Sequence, residues 1–223
     1  MSRNGATCQA ADVPLYVTYY RRALPHFLKI KELIDAGAIG VVRTVHIDLK
    51  QVLKADLLVH QENNWRLDPE VAGGGYFFDL TSHRLDLLDF FFEPILKAKG
   101  FSTNQAGGYK AEDMVAATFQ FGSGILGTGT WCFAASPVSE VDEISIYGDK
   151  GHIKFQNFGK GEFTLTTSAT KKKFFELELP KHIQQPLIQT IVDDLLGRGE
   201  SPSSGISGAR TNWVMDEIVW DFQ

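Results

Sequence analysis

Gly73-Gly-Gly-Tyr-Phe-Phe-Asp79-Leu-Thr-Ser-His83-Arg-Leu-Asp86-Leu-Leu-Asp89-Phe-Phe-Phe92 is the stretch on which the reading of this chain turns. Three glycines free the backbone from Cβ clashes, and an acid and a histidine follow them four residues apart. On a helix, Tyr76, Asp79, His83 and Asp86 would share one stripe, because residues three and four apart are neighbours. A carboxylate beside an imidazole is proton-transfer equipment: His83 has an unperturbed pKa of about 6.5, and Asp79 can hold its tautomer. Two other readings stay open. The pair can be a locally satisfied structural histidine, or Asp79, His83 and Asp86 can form a divalent-metal site, as in a metallohydrolase. The preferred reading assigns no metal ligands.

Around this stretch, composition sets limits. A chain of 223 residues can bury roughly 70% of its unfolded surface. Net charge is −5 with no basic run longer than Lys171-Lys-Lys173, which argues against nucleic acid or an anionic membrane as partner. Two cysteines, Cys8 and Cys132, make no disulfide framework, no segment reads as a signal peptide, and no apolar run approaches a membrane span. The expected location is cytoplasmic.

Upstream, Val13 to Tyr19 reads as a strand, and residues from Pro25 to the stop at Gly37 read as a helix. Val41 to Lys50 alternates as a half-buried strand, with His46 on the exposed side. The long irregular stretch Gln51 to Ala72 carries Trp65 and Arg66. Trp65 reads as an aromatic plug over the core or as a pocket wall, and Arg66 as a forked donor to an oxygen-rich ligand.

Downstream of Pro94 the chain is β-rich. Strands are expected at 95–101, 114–121, 125–133, 143–147, 152–155, 163–167 and 174–179, joined mainly as antiparallel hairpins. Met114, Ala116, Leu126 and Cys132 oppose the apolar series of their strands, suggesting a sheet apolar on both faces, one covered by helices and one by a partner subunit. Gly122-Ser-Gly124-Ile-Leu-Gly127 matches G-x-G-x-x-G, but a strand rather than a helix follows, so it reads as a hairpin turn. Two helices close the chain. One carries Leu187, Ile188, Ile191, Val192, Leu195 and Leu196; the other carries Ile206, Ala209, Trp213 and Ile218 and is expected to bury its aromatics.

Together these residues resemble a known family. Gly73-Gly-Gly, Asp79, His83 and Asp86 are similar to the signature of the glucose-fructose oxidoreductase, inositol dehydrogenase and MocA family of NAD(P)-dependent oxidoreductases. Val17-Thr-Tyr-Tyr-Arg-Arg22 with Pro25 and Ile34-Asp-Ala-Gly-Ala-Ile-Gly40 resembles its interdomain junction, and Tyr109-x-Ala-Glu-Asp113 and Ile144-x-x-Tyr-Gly148 resemble its sheet positions. The resemblance implies an α+β fold: an open, mainly antiparallel sheet with helices on one face and a dimer or higher homo-oligomer formed through the other. It implies that residues 1–22 end a Rossmann domain and its junction, and that residues 23–223 form the substrate-binding and dimerisation domain. His83 and Asp79 would be catalytic, Trp65, Arg66 and Tyr76 would bind substrate, and Arg21, Arg22 and Gly74 would lie on the cofactor side. Sugars, polyols and related secondary alcohols are the implied substrates, with NAD or NADP as cofactor.

The family's glycine fingerprint and Glu-Lys-Pro segment, whose lysine joins the catalytic set, are absent from this chain. The chain therefore reads as the C-terminal domain alone, through a truncated gene or a late start. It is expected to bind no cofactor stably and not to catalyse hydride transfer alone. The alternative is a non-enzymatic binding or assembly module.

Overall fold

The structure, a computed structural model, describes residues 3–53 and 68–220. Trp65 and Arg66 lie outside the described residues. Helix α1 spans Arg3–Ala10, and Val13 to Tyr19 follows as an extended strap. The strap is held by a Tyr16–Ser204 bridge, a Gly205 N–H donated to Leu15 O at 2.6 Å, a Ser203 hydroxyl donated to Val17 O at 2.7 Å and its own Val13 N–H donated to Cys8 O at 2.9 Å. The strand expected here does not form, because a ladder needs a neighbouring strand and the strap lies against a helix instead.

Helix α2 spans Pro25–Asp35, starting on proline and ending before Gly37, whose φ of +67° suits glycine. Its apolar repeat buries Phe27 and Ile30 completely. Strand β1 is Val42–Val52, so Gln51 and Val52 belong to it rather than to the following irregular stretch. Helix α3 is Ser82–Phe92.

The remaining strands are β2 Ile95–Thr103, β3 Met114–Phe121, β4 Leu126–Ala135, β5 Val141–Gly148, β6 Gly151–Phe155, β7 Glu162–Thr167 and β8 Lys173–Glu176. They join β1 in one sheet of order β2-β3-β4-β1-β5-β6-β7-β8. All neighbouring pairs are antiparallel except β1 with β4. This is the expected α+β architecture. The Gly122–Gly127 match is the predicted hairpin: Phe121 N–H donates to Ile125 O, and Gly124 takes φ +86°.

One sheet face carries the core. Val45, Ile47 and Leu49 of β1 align there with Trp131, Phe133, Ile144 and Ile146, all at most 1% exposed. Phe27 of α2 meets Phe155 at 5.7 Å, Phe92 of α3 meets Phe121 at 5.4 Å, and Phe77 meets Trp131 at 5.2 Å between ring centroids.

The opposite face is open and more polar than expected. His46 Nδ1 pairs with the Thr128 hydroxyl at 2.8 Å, Thr130 donates to Asp48, and Lys154 donates to Glu143. Met114, Ala116, Leu126 and Cys132 stand among these groups, so the face is not apolar throughout.

Helix α4 is Gln185–Leu195 and α5 is Gly205–Val219, the latter opened by a Ser204–Ser207 capping box. Here burial departs from the apolar spacing. Leu187 is buried, but Ile188, Val192 and Leu195 are 42–61% exposed, and Ile206 and Trp213 are 65% and 40% exposed. The buried side of α5 is instead Ser207, Gly208, Thr211, Val214, Met215 and Ile218. Small residues win that face because close approach needs them: a Cβ on Gly208 would stand 2.5 Å from Val17, and one on Gly205 would stand 2.6 Å from Leu15. No helix among the described residues is long and apolar enough to cross a membrane.

Candidate active site

Asp68 caps a one-turn helix, Pro69–Ala72, and Gly73 ends it at φ +78°. A Cβ on Gly74 would fall 2.1 Å from the Phe78 ring, and one on Gly75 would fall 2.6 Å from Ala111 Cβ. Gly74 and Gly75 therefore let the turn press onto Phe78 and onto the loop that carries Tyr109 to Asp113. Glu112 accepts from the Gly75 N–H at 3.4 Å, tying that loop to the turn.

Phe77–Thr81 forms a π turn that leads into α3. A π turn inserts a residue into the helical repeat, so the stripe expected from uniform α spacing breaks up. Tyr76 points to the sheet, edge-on to Tyr109 at 5.6 Å and near Phe133 at 5.7 Å. Asp86 points into the protein interior. Asp79 and His83 stay together on a pocket of about 410 Å³ that they share with Tyr19, Ser82, Asn212 and Asp216.

His83 is the half-buried wall of this pocket. Tyr19 and Tyr20 meet its ring edge-on at 5.4 and 5.7 Å, and Phe158 meets it at 6.3 Å. Burial, with the Arg21 and Arg84 guanidinium charges, pushes its pKa down to about 3. The near-neutral titration expected from the sequence is thus corrected, since a cation beside two arginines in a desolvated site is disfavoured. Asp79 is exposed at the mouth. Burial raises the Asp216 carboxyl, and burial together with the Asp86 charge pushes the Tyr19 phenol up to about 12.

Behind the pocket lies an ionic network. Asp86, wholly buried, accepts from Arg22 Nε at 2.8 Å and Nη2 at 2.7 Å. Arg22 also donates to Asp89 at 3.1 Å and to Pro202 O at 2.9 Å, while Arg210 takes Asp89 from the other side at 2.7 and 3.0 Å. Burial pushes the Asp86 carboxyl up to about 6 against the pull of Arg22, leaving the pair ionised at neutral pH. Asp86 is therefore committed to Arg22 and not available beside Asp79 and His83 as a third metal ligand.

Arg21 is 3% exposed, donates Nε to Asn157 O at 2.9 Å, and stacks on Tyr20 and Phe158 at 4.6 and 4.2 Å. Both arginines face the interior, not the pocket mouth. Tyr19 was visible in the sequence as part of the junction stretch. Asn212 and Asp216 had no local signal, because only the packing of α5 beside α3 brings them to the pocket.

The described residues do not fit a dinucleotide. The one glycine-rich match is a hairpin, and the sheet is antiparallel apart from β1 and β4, without a strand-to-helix phosphate turn.

The family model described as the GFO/IDH/MocA C-terminal domain matches residues 27–154. An oxidoreductase of Formosa agariphila is 35% identical over 211 residues, covering 92% of this chain and 62% of that protein. A D-xylose 1-dehydrogenase (NADP(+)) of Haloarcula marismortui is 30% identical over 86 residues, 39% of this chain and 23% of that protein. Among solved structures, an aldose-aldose oxidoreductase from Caulobacter crescentus complexed with glycerol superposes with TM-score 0.79 at 20% identity, over 95% of this chain and 62% of that one. An oxidoreductase from Agrobacterium radiobacter in complex with NAD+, L-tartaric acid and magnesium gives 0.77 at 18%, over 96% and 64%. These two likenesses show the fold. The chain spans less than two thirds of the length of these relatives.

Proposed function

Because this chain belongs to the GFO/IDH/MocA C-terminal domain family, we propose that it is the substrate-binding and oligomerisation part of an NAD(P)-dependent oxidoreductase acting on sugars, polyols or related secondary alcohols. Residues 1–22 serve as the lead-in and residues 23–223 as the domain. The observation that carries the reading is the pocket that gathers Asp79, His83, Ser82, Tyr19, Asn212 and Asp216. Two carboxylates accept from hydroxyl groups, Asn212 and the Ser82 and Tyr19 hydroxyls can both donate and accept, and a neutral imidazole stands among them, which suits a ligand rich in hydroxyls.

In this proposal Asp79 and His83 act at the reacting oxygen, binding it and managing its proton. Tyr76 supports the pocket from the sheet side, and Trp65 and Arg66 are assigned to substrate binding. Gly74 lets the turn lie close to where a cofactor would approach, whereas Arg21 and Arg22 act from behind the site rather than as phosphate ligands. The redox cofactor is supplied by a part of the full-length protein that this chain does not span, so the chain alone does not turn over. The open sheet face, with Leu126 57% and Phe101 72% exposed, is proposed as the homo-oligomer contact, and the two free cysteines suit a reducing, cytoplasmic setting.

The test is an activity screen of the full-length protein against sugars and polyols with NAD and NADP, alongside calorimetry of this chain with both cofactors. Turnover of a secondary alcohol by the full-length protein that is lost in His83→Ala supports the reading. No turnover with any such alcohol, or micromolar cofactor binding by this chain alone, overturns it. A non-enzymatic assembly module is the second reading, favoured by the lack of a dinucleotide site among the described residues; it predicts self-association without turnover.

A further inference from the structure

We infer that His83 meets its ligand as a neutral hydrogen-bond donor, with its proton on Nε2 toward the pocket and its lone pair on Nδ1 toward the interior, and that Arg21 is the positioning residue that sets this tautomer. The inference rests on the placement of His83 at the reacting oxygen proposed above.

It starts from a cluster of buried polar atoms. His83 Nδ1, Arg21 Nη1, Arg84 Nε and both side-chain atoms of Asn157 have no hydrogen-bond partner among the described residues. Arg21, Arg84 and Asn157 are 3%, 0% and 3% exposed, so bulk water does not reach them freely. The four residues form one shell. Arg21 and Arg84 stack on Phe158 at 4.2 and 4.7 Å, His83 meets the same ring at 6.3 Å, and Arg21 Nε is bonded to Asn157 O. Unpaired buried polar atoms are costly and few, so a cluster of them asks for a reason.

The chemistry of the two sides of the ring differs. On the interior side the guanidinium groups carry donors only and cannot accept. A proton on Nδ1 would be buried without a bonded acceptor in the field of two cations, whereas a lone pair there is attracted to them directly or through one ordered water. Asn157 can turn either way and does not decide the matter. On the pocket side stand the carboxylates of Asp79 and Asp216, which accept. Both sides therefore favour the proton on Nε2. The other rings against His83, those of Tyr19, Tyr20 and Phe158, bring no formal charge, and the nearby Asp142 is tied to Arg84 Nη2 at 2.8 Å.

The consequence is a division of labour. A neutral imidazole with its N–H in the pocket can hold or polarise a substrate oxygen but has no lone pair there to take its proton. That lone pair belongs to the pocket carboxylates, of which Asp79 is nearest in sequence to His83.

The test is a long-range 1H–15N correlation spectrum of this chain, which reads whether each imidazole nitrogen is protonated, whether or not the full-length protein oxidises any alcohol. Wild type should show His83 neutral at pH 7, with the Nε2–H form ahead by about tenfold or more. Arg21→Met should raise the Nδ1–H share, Arg21→Lys should restore the wild-type pattern, and Asn157→Leu should leave the proton on Nε2. A wild-type proton on Nδ1, or an imidazolium at pH 7, overturns the inference. An Arg21→Met spectrum identical to wild type removes Arg21 from the role. If Arg21→Met does not fold, the wild-type and Asn157→Leu spectra still decide the tautomer, and Arg21→Lys decides whether charge at that position sets it. A purely structural Arg21 would change stability without moving the proton.

Discussion

Replacing Asp86 by asparagine probes the buried ionic network most directly. Asp86 lies wholly inside the protein and takes two donors of Arg22, at 2.8 and 2.7 Å, with both residues at most 5% exposed. Removing one partner of a buried pair costs about 3–5 kcal/mol, because the other charge stays desolvated and uncompensated. Two features hold Asp86→Asn to the lower end. The amide keeps one acceptor oxygen, and Asp89 remains 3.1 Å from Arg22 Nη2, although Asp89 is shared with Arg210. The expected loss is about 3 kcal/mol. Urea unfolding followed by circular dichroism measures it: with a slope near the upper end of about 1–3 kcal/mol per molar, the midpoint drops by about 1 M. The double replacement Arg22→Met with Asp86→Leu should regain most of that loss by removing both charges. A midpoint shift below about 0.3 M in Asp86→Asn, with unchanged slope, refutes the assignment of this pair as a fully desolvated one.

Other expectations concern packing, titration and catalysis. Gly100→Ala places a methyl 2.8–2.9 Å from Ile218 Cγ2, Ile218 O and Ala116 O, with backbone on both sides. It should cost about 1–3 kcal/mol in the same unfolding assay, and a neutral result would mean that α5 can shift away from β2. His83 and His26, with pKa values pushed down to about 3 and about 4, bind fewer protons folded than unfolded. Their contribution to stability therefore falls as pH drops below about 6.5, and proton resonances of His83 showing a midpoint above pH 5.5 would contradict the burial described. In the full-length protein, His83→Ala should lower turnover by about 10²–10³-fold, as loss of a hydrogen-bond donor at the reacting oxygen does, while leaving cofactor affinity nearly intact, and unchanged turnover would take His83 out of the mechanism.

The fold was legible wherever its cause is local. Alternation placed β1, proline and glycine bracketed α2, and the continuation of Gly122 to Gly127 as a strand separated a hairpin from a nucleotide loop. Reading failed where a neighbour decides. Val13 to Tyr19 has strand composition but finds a helix beside it, and α5 buries serine, glycine and threonine because the strap and α3 come too close for larger side chains. Apolar periodicity cannot register that preference.

The same division runs through the candidate site. Taken alone, the amino-acid sequence determined that Asp79 and His83 stand one turn apart after a glycine turn, and that the family's sheet follows them, because spacing, turn chemistry and alternation act over a few residues. Only the tertiary structure decided that a π turn swings Tyr76 to the sheet, that Arg22 claims Asp86, that Asn212 and Asp216 complete the pocket, and that burial, with Arg21 and Arg84, pushes the His83 pKa down. Each of those outcomes depends on charge and burial supplied by distant parts of the chain, and desolvation exists only once those parts have packed together.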